Sequence, residues 1–466
     1  MLGASACLPG NPDETTDGSE SEGETSETGG DASGLFACSS PPCSFVVVSQ
    51  TLDDRVDVFD ALGGGLRGRI DLDLKPDPSG QQITGNLLDE PYGLLVDEER
   101  LRVLVGHYPD TDSGSLVSFP HSMFAELEAG AVAPASDFFA DGVFSGGAEQ
   151  LALAREEAIF MLEHPSGALL IGVFNNSLTS FDWPNPSQLL ILDPDSGALG
   201  SVDLATLDTP CSGAWGLVAL DDAMSQVAMA CDGSDSVAIL NIPAELSDPV
   251  AAAAAVTGCG YETPVGAPDT WTTRFLAPDG AGGLLLTQSS PVSSPRLMQI
   301  SGSCDLMGPA GSASGFEELR ALRETVLLRA PSEGGPVWLA AGGGGRPGVY
   351  VLRMSGVTPE LCGELPELPA ALTGGVEANE PFALALSSDR AHLAIGAGPT
   401  PDNLPETREG RGQVLWVSLN TDGLASCDLR ASEVVDLNAD LFAPADPRTW
   451  SRAPNTLQIL EVGGAS

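Results

Sequence analysis

The sequence predicts an all-β fold assembled from one repeated unit. Three observations carry that expectation. Past Cys43, short apolar runs alternate with clusters of Gly, Pro and Asp, as short strands joined by tight turns do. Two stretches far apart in the chain match at a constant offset, the mark of an internal repeat. The first unit lacks an opening strand, and the C-terminus holds a spare one. The chain has 466 residues, of which 42% are apolar, enough to build a sizeable core.

Glu90 to Asp112 reads EPYGLLVDEERLRVLVGHYPDTD, and Glu380 to Asp402 reads EPFALALSSDRAHLAIGAGPTPD. The two are 290 positions apart and identical at seven positions: Glu90/Glu380, Pro91/Pro381, Leu94/Leu384, Arg100/Arg390, Gly106/Gly396, Pro109/Pro399 and Asp112/Asp402. A weaker copy starts at Glu149, with Leu151, Leu153, Phe160 and Leu162 opposite Leu94, Val96, Val103 and Val105, and His164 opposite His107. Another starts at Trp215. Each unit reads strand, acidic turn, strand, polar turn, strand. Phe45 to Asp60 (FVVVSQTLDDRVDVFD) is the second half of such a unit. Opening strands are expected near Pro91, Glu149, Ala214, Thr270, Pro336 and Pro381, and Asn455 to Val462 supplies the missing one. Pro120 to Gly146 and Asn175 to Ser187 read as insertions, and Pro249 to Val256 as a short helix or loop.

This pattern resembles the β-propellers of the YVTN and NHL-like type, whose units run from a Gly- or Pro-initiated inner strand through a tight turn to a strand of "vsviD" character. Val56 to Asp60 and Val237 to Asn241 carry that last element. The resemblance spans roughly residues 44–462. It implies a single propeller over residues 37–466, with seven blades closed by strands from both termini. Eight blades are the alternative, and a pair of β-sandwiches stands behind both. Closure of this kind protects the sheet edges.

Lys and Arg total 20 against 65 Asp and Glu, a net charge of -45, and Lys75 is the only lysine. No basic stripe can be assembled to neutralise phosphates, so nucleic acid is excluded as a partner. An anionic membrane surface repels such a chain, which leaves a lipid anchor as the route to a membrane. Ala4-Ser5-Ala6-Cys7 resembles the end of a bacterial lipobox, with Ala4 where Leu is usual. This implies lipidation of Cys7 and a coding start upstream of Met1. Residues 1–7 are then a signal remnant and 8–36 a tether. Asn11 to Gly34 holds eight acids and no base, cannot bury a core, and reads as disordered. Such tethers are similar to those of myxobacterial surface lipoproteins, which implies an outer-membrane, cell-surface or periplasmic location.

With Cys7 set aside, Cys38, Cys43, Cys211, Cys231, Cys259, Cys304, Cys362 and Cys427 remain. Eight cysteines allow many pairings. Sequence-local pairing would join them in chain order. Cys211–Cys231 is the best supported, because those two flank adjacent antiparallel strands. An oxidising compartment fits this usage.

Most catalytic signatures are absent. Gly343 to Gly348 matches G-x-G-x-x-G but is followed by another apolar strand, so it reads as a hairpin loop rather than a phosphate cradle. His107 and His164, placed equivalently by the alignment above, could hold a metal together with Asp110 and Asp112. The acidic turns Asp110 to Gly114, Asp193 to Gly197 and Asp232 to Asp235 offer oxygen ligands to a structural Ca²⁺, although turn-making alone accounts for such residues. Tyr92, Trp215, Trp271 and Phe382 recur at inner-strand starts. In a propeller these sit near the channel mouth, with Glu90 and Glu380 just before two of them. An acidic, aromatic mouth suits a cationic or polyhydroxylated ligand. The expected function is a non-catalytic, monomeric cell-envelope platform binding a protein or saccharide, with no cofactor beyond such a Ca²⁺. The alternative is a metal-dependent propeller enzyme of lactonase, lyase or hydrolase type.

Overall fold

The computed structural model describes residues 34–50, 55–72, 90–106, 114–127, 131–134, 139–140, 143–144, 149–153, 158–174, 187–263, 272–290, 293–312, 314–372, 379–398, 412–439 and 456–463. Their antiparallel sheets form a seven-bladed β-propeller. The innermost strand of each blade touches that of the next, and the seventh touches the first.

Blade 1 takes its inner strand, Thr456–Val462, from the C-terminus and continues outward through Cys43–Gln50, Arg55–Asp60 and Leu66–Asp71. Blade 2 runs Glu90–Val96, Arg100–Gly106, Ser115–Pro120, Glu149–Ala152, and blade 3 runs Ala158–Glu163, Leu169–Val173, Gln188–Leu192, Leu199–Asp203. Blade 4 is Ala214–Ala219, Gln226–Cys231, Ser236–Asn241, Thr257–Glu262, and blade 5 is Thr272–Pro278, Gly283–Ser289, Arg296–Ser301, Gly311–Ser312. Blade 6 is Ala321–Arg329, Val337–Gly343, Gly348–Ser355, Thr358–Glu364, and blade 7 is Glu380–Leu386, His392–Gly398, Gln413–Asn420, Arg430–Asp436. We call the end of the ring where inner strands begin the upper face and the end where they finish the lower face.

Blades pack face to face, so the middle strands of each are covered on both sides. This explains runs such as Val46-Val47-Val48 and Leu284-Leu285-Leu286, buried without alternation. Val47 packs toward blade 2 while Val46 and Val48 pack toward blade 7. One apolar cluster fills each interface between neighbouring blades. The core is therefore a set of radial wedges rather than one centre.

Two inner strands differ from the sequence expectation. Glu149–Ala152 is the outer strand of blade 2, and blade 3 opens at Ala158. Val337–Gly343 is the second strand of blade 6, whose inner strand is Ala321–Arg329. That strand, ALRETVLLR, carries three charges, so it does not read as a core strand. Within the Pro120 to Gly146 insertion, Ala131–Pro134 adds a fifth, parallel strand to blade 1. Pro249–Ala255 is an α-helix capped by Asp248, whose carboxylate accepts the Ala251 N–H at 3.1 Å. Gly344 to Pro347 form the hairpin between the second and third strands of blade 6. Leu35, inside the stretch read as tether, is fully buried in the wedge between blades 1 and 2. Cys7 and the acidic tether up to Ser33 lie outside the described residues.

All four sequence-local disulfides form: Cys38–Cys43, Cys211–Cys231, Cys259–Cys304 and Cys362–Cys427. They fit an extracellular or periplasmic protein. Among the described residues no helix is long and apolar enough to cross a membrane.

Candidate channel-mouth site

Six of the seven inner strands carry a register shift just below the upper face. The shifts lie between Pro91 and Leu94, Ala158 and Phe160, Ala214 and Leu217, Thr273 and Phe275, Leu322 and Thr325, and Pro381 and Ala383. Only the strand lent by the C-terminus pairs without one. A bulge re-aims the residue it inserts. The inserted residues are Tyr92-Gly93, Ile159, Trp215-Gly216, Arg274, Arg323-Glu324 and Phe382. Three of the aromatic residues picked from sequence thus occupy one repeated position. Trp271 lies outside the described residues; the equivalent position in blade 5 is Arg274, three residues on.

On blades 4 to 7 these residues lie along one arc of the mouth as two contacting pairs, one across blades 4 and 5 and one across blades 6 and 7. The Arg274 guanidinium stacks on Trp215 with its carbon 4.9 Å from the ring centre. Phe160 and Phe174 hold the indole edge-on. Gly216, at φ +104°, permits this approach, since a Cβ there would lie 3.0 Å from the Arg274 carbonyl oxygen. Asp232 completes the group: its carboxylate accepts from Arg274 Nε at 2.8 Å and from the Thr273 N–H at 3.1 Å. On the other half of the arc, Arg323 lies 3.7 Å over the Phe382 ring and donates Nη2 to Glu380 Oε2 at 2.8 Å. Glu380 Oε1 accepts the Gly344 N–H at 2.8 Å.

Glu380 is therefore not a free acid at the mouth. It is buried and neutralised by an arginine of the preceding blade. The mouth here sets two neighbouring guanidinium groups between two aromatic rings, each guanidinium carrying its own carboxylate. Sequence reasoning missed Arg274 and Arg323, because it looked for aromatic residues at strand starts. Glu90 occupies the repeat position of Glu380, pairing with Gly106 as Glu380 pairs with Gly398.

Next to Arg323, Glu324 accepts the Leu384 N–H of blade 7 at 3.0 Å. An inner strand is the edge of its blade, so an N–H donated outside the blade leaves along the channel side. Glu324 thus lies along the channel wall. Burial pushes its carboxyl up to about 7, against the lowering effect of the Leu384 hydrogen bond.

The proposed equivalence of His107 and His164 is not found. His164 directly follows the inner strand of blade 3 on the lower face, whereas Gly106, which precedes His107, ends a second strand on the upper face. The true counterparts of His164 are Asp97 and Asp279, each the first residue after its inner strand. Asp97 accepts the N–H groups of Glu99 and Arg100 at 2.7 and 2.8 Å. Asp279 accepts those of Ala281 and Gly283 at 2.8 and 2.9 Å. His164 Nδ1 accepts the Ser166 N–H at 3.1 Å in the same way, and burial holds its imidazole below the usual range. At Asp97 burial opposes the charge, but the two N–H groups and Arg102 outweigh it and lower the carboxyl. His107, Asp110 and Asp112 lie outside the described residues. Of the other acidic turns, Asp193 is occupied by Asp195 N–H at 3.0 Å and Ser196 Oγ at 2.6 Å. Among the described residues no cluster of three or more His, Cys, Asp or Glu is placed to hold a metal.

No protein-family profile matches the chain, and no curated protein matches it by sequence. A proposed 6-phosphogluconolactonase from Bacteroides fragilis is 10% identical, with a TM-score of 0.53 over 91% of this chain and 99% of that one. Apo AztD from Citrobacter koseri is 11% identical, with a TM-score of 0.43 over 91% and 99%. The β-propeller domain of the trilobed protease from Pyrococcus furiosus is 7% identical, with a TM-score of 0.38 over 75% and 84%. At such identities the first of these supports the propeller fold and nothing finer.

Proposed function

We propose that this protein is a non-catalytic binding platform of the cell envelope. A lipid on Cys7 and the acidic tether hold it at the outer membrane, and its channel mouth takes a saccharide or protein partner. The arc of Trp215, Arg274, Arg323 and Phe382 carries this reading. Its aromatic and guanidinium groups are fixed by bulges on four adjacent blades, and stacked rings with positioned donors are what a recognition surface needs. The acids beside them are engaged in ion pairs that position those donors. Four disulfides support the location.

The test is crosslinking of the full chain on intact cells, together with metal analysis of protein purified without chelators. A partner captured by the native chain and lost on Trp215→Ala, with no stoichiometric metal, supports the platform. About one Ca²⁺ per chain together with turnover of a lactone or ester favours the metal-dependent enzyme. Retained surface location of Cys7→Ala would overturn the anchor.

A further inference from the structure

Arg274 stands out among the charged groups of the arc. Its Nε is used by Asp232 and its face by Trp215. Among the described residues nothing accepts from Nη1 or Nη2. Its side chain is 41% exposed, against 11% for Arg323, whose carboxylate partner is buried with it. The guanidinium is therefore held at one nitrogen and one face, while its end-on pair of N–H groups belongs to a side chain that is two-fifths exposed. That pair matches the two oxygens of a carboxylate, and the fixed geometry removes most of the ordering cost of binding.

We propose that Arg274 is an oxyanion-binding site at the channel mouth, selective for a ligand that carries a carboxylate. The inference rests on reading the mouth as a binding surface and names the group that surface takes. Local charge decides for carboxylate over phosphate. Arg274 and Asp232 together are neutral, and the whole chain carries -45. A dianion meets twice the long-range repulsion of a monoanion and gains no second cation in exchange. Trp215, stacked against the guanidinium and only half-buried, offers an apolar surface to the body of the ligand, so a uronic acid, with a ring next to its carboxylate, is a fitting probe.

The experiment titrates the full chain at low salt with glucuronate, glucose and glucose 6-phosphate, read by calorimetry and ligand-observed NMR. Glucuronate is expected to bind, and glucose and the phosphate to bind at least about tenfold more weakly. Arg274→Ala should abolish the preference. Arg274→Lys keeps the charge but loses the paired donors, and should weaken glucuronate about tenfold. It also serves as the folded control should the alanine variant unfold. Equal binding of glucose and glucuronate, or an unchanged preference in Arg274→Lys, overturns the oxyanion site while leaving the platform standing. No binding of any probe up to about 10 mM overturns the site as well. The platform itself fails only if no partner is captured on cells.

Discussion

At the scale of single residues, the bulge in blade 6 separates two charged neighbours. Arg323 reaches toward Glu380 at the mouth, while Glu324 turns to the Leu384 N–H along the channel. A carboxyl pushed from 4.5 to about 7 binds its proton more tightly folded than unfolded. The folded state therefore gains from this group below pH 4.5 and loses that gain as pH rises through about 7. The loss amounts to about 2–3 kcal/mol, allowing for partial exposure. Glu324→Gln mimics the protonated form. It should match the parent near pH 5 and exceed it in stability near pH 8. Urea unfolding of both proteins at the two pH values checks this. Equal pH dependence in the two would show that Glu324 titrates normally.

At the scale of elements, blades repeat their fastenings as well as their strands. Cys259 on the outer strand of blade 4 reaches Cys304 in the turn before the outer strand of blade 5, and Cys362 on blade 6 reaches Cys427 at the same place in blade 7. Cys304 and Cys427 share a left-handed backbone, at φ +63° and +59°. These bridges tie neighbouring outer edges together, alongside polar contacts such as the Ala431 N–H of blade 7 donating to Glu367 at 3.1 Å. Replacing Cys259 and Cys304 with Ala should cost about 2–4 kcal/mol. The lost protection against hydrogen exchange should concentrate on Thr257–Glu262 and Gly311–Ser312. Loss spread evenly over all blades would contradict a local clamp. The sequence pattern made the pairings legible because each joins segments close along the chain. Tyr92, Trp215 and Phe382 were legible because a bulge position recurs with the blade. Position within a blade was not: Glu149–Ala152 and Val337–Gly343 look like inner strands because both faces of most strands are buried. The inner strand of blade 6 looks like surface because Arg323 and Glu324 point along the channel wall and mouth. His164 was misassigned since imidazole replaces the usual Asp at its turn.

At the scale of the whole molecule, the ring depends on one strand from the far end of the chain. Thr456–Val462 pairs with Cys43–Gln50 over seven positions, and the Thr456 N–H is held by Ser49 Oγ at 3.1 Å. Leu457 packs into the wedge shared with blade 7 and Leu460 into that shared with blade 2. Each contributes about 1.5–3 kcal/mol of burial. Losing the strand also opens the edge of Cys43–Gln50 and strips part of the wedges that blade 1 shares with blades 7 and 2. Those losses together rival the total stability of an ordinary domain, about 5–15 kcal/mol. Truncation after Asn455 should therefore yield a protein that aggregates through its free edge and no longer unfolds cooperatively. A synthetic peptide spanning Asn455 to Ser466 should restore the transition by strand addition, and a peptide with Leu457 and Leu460 changed to Ser should not. Size exclusion and thermal unfolding with each peptide read the outcome. A truncated chain that stays monomeric with an unchanged Tm would mean that the interfaces between the remaining blades hold the ring without its closing strand.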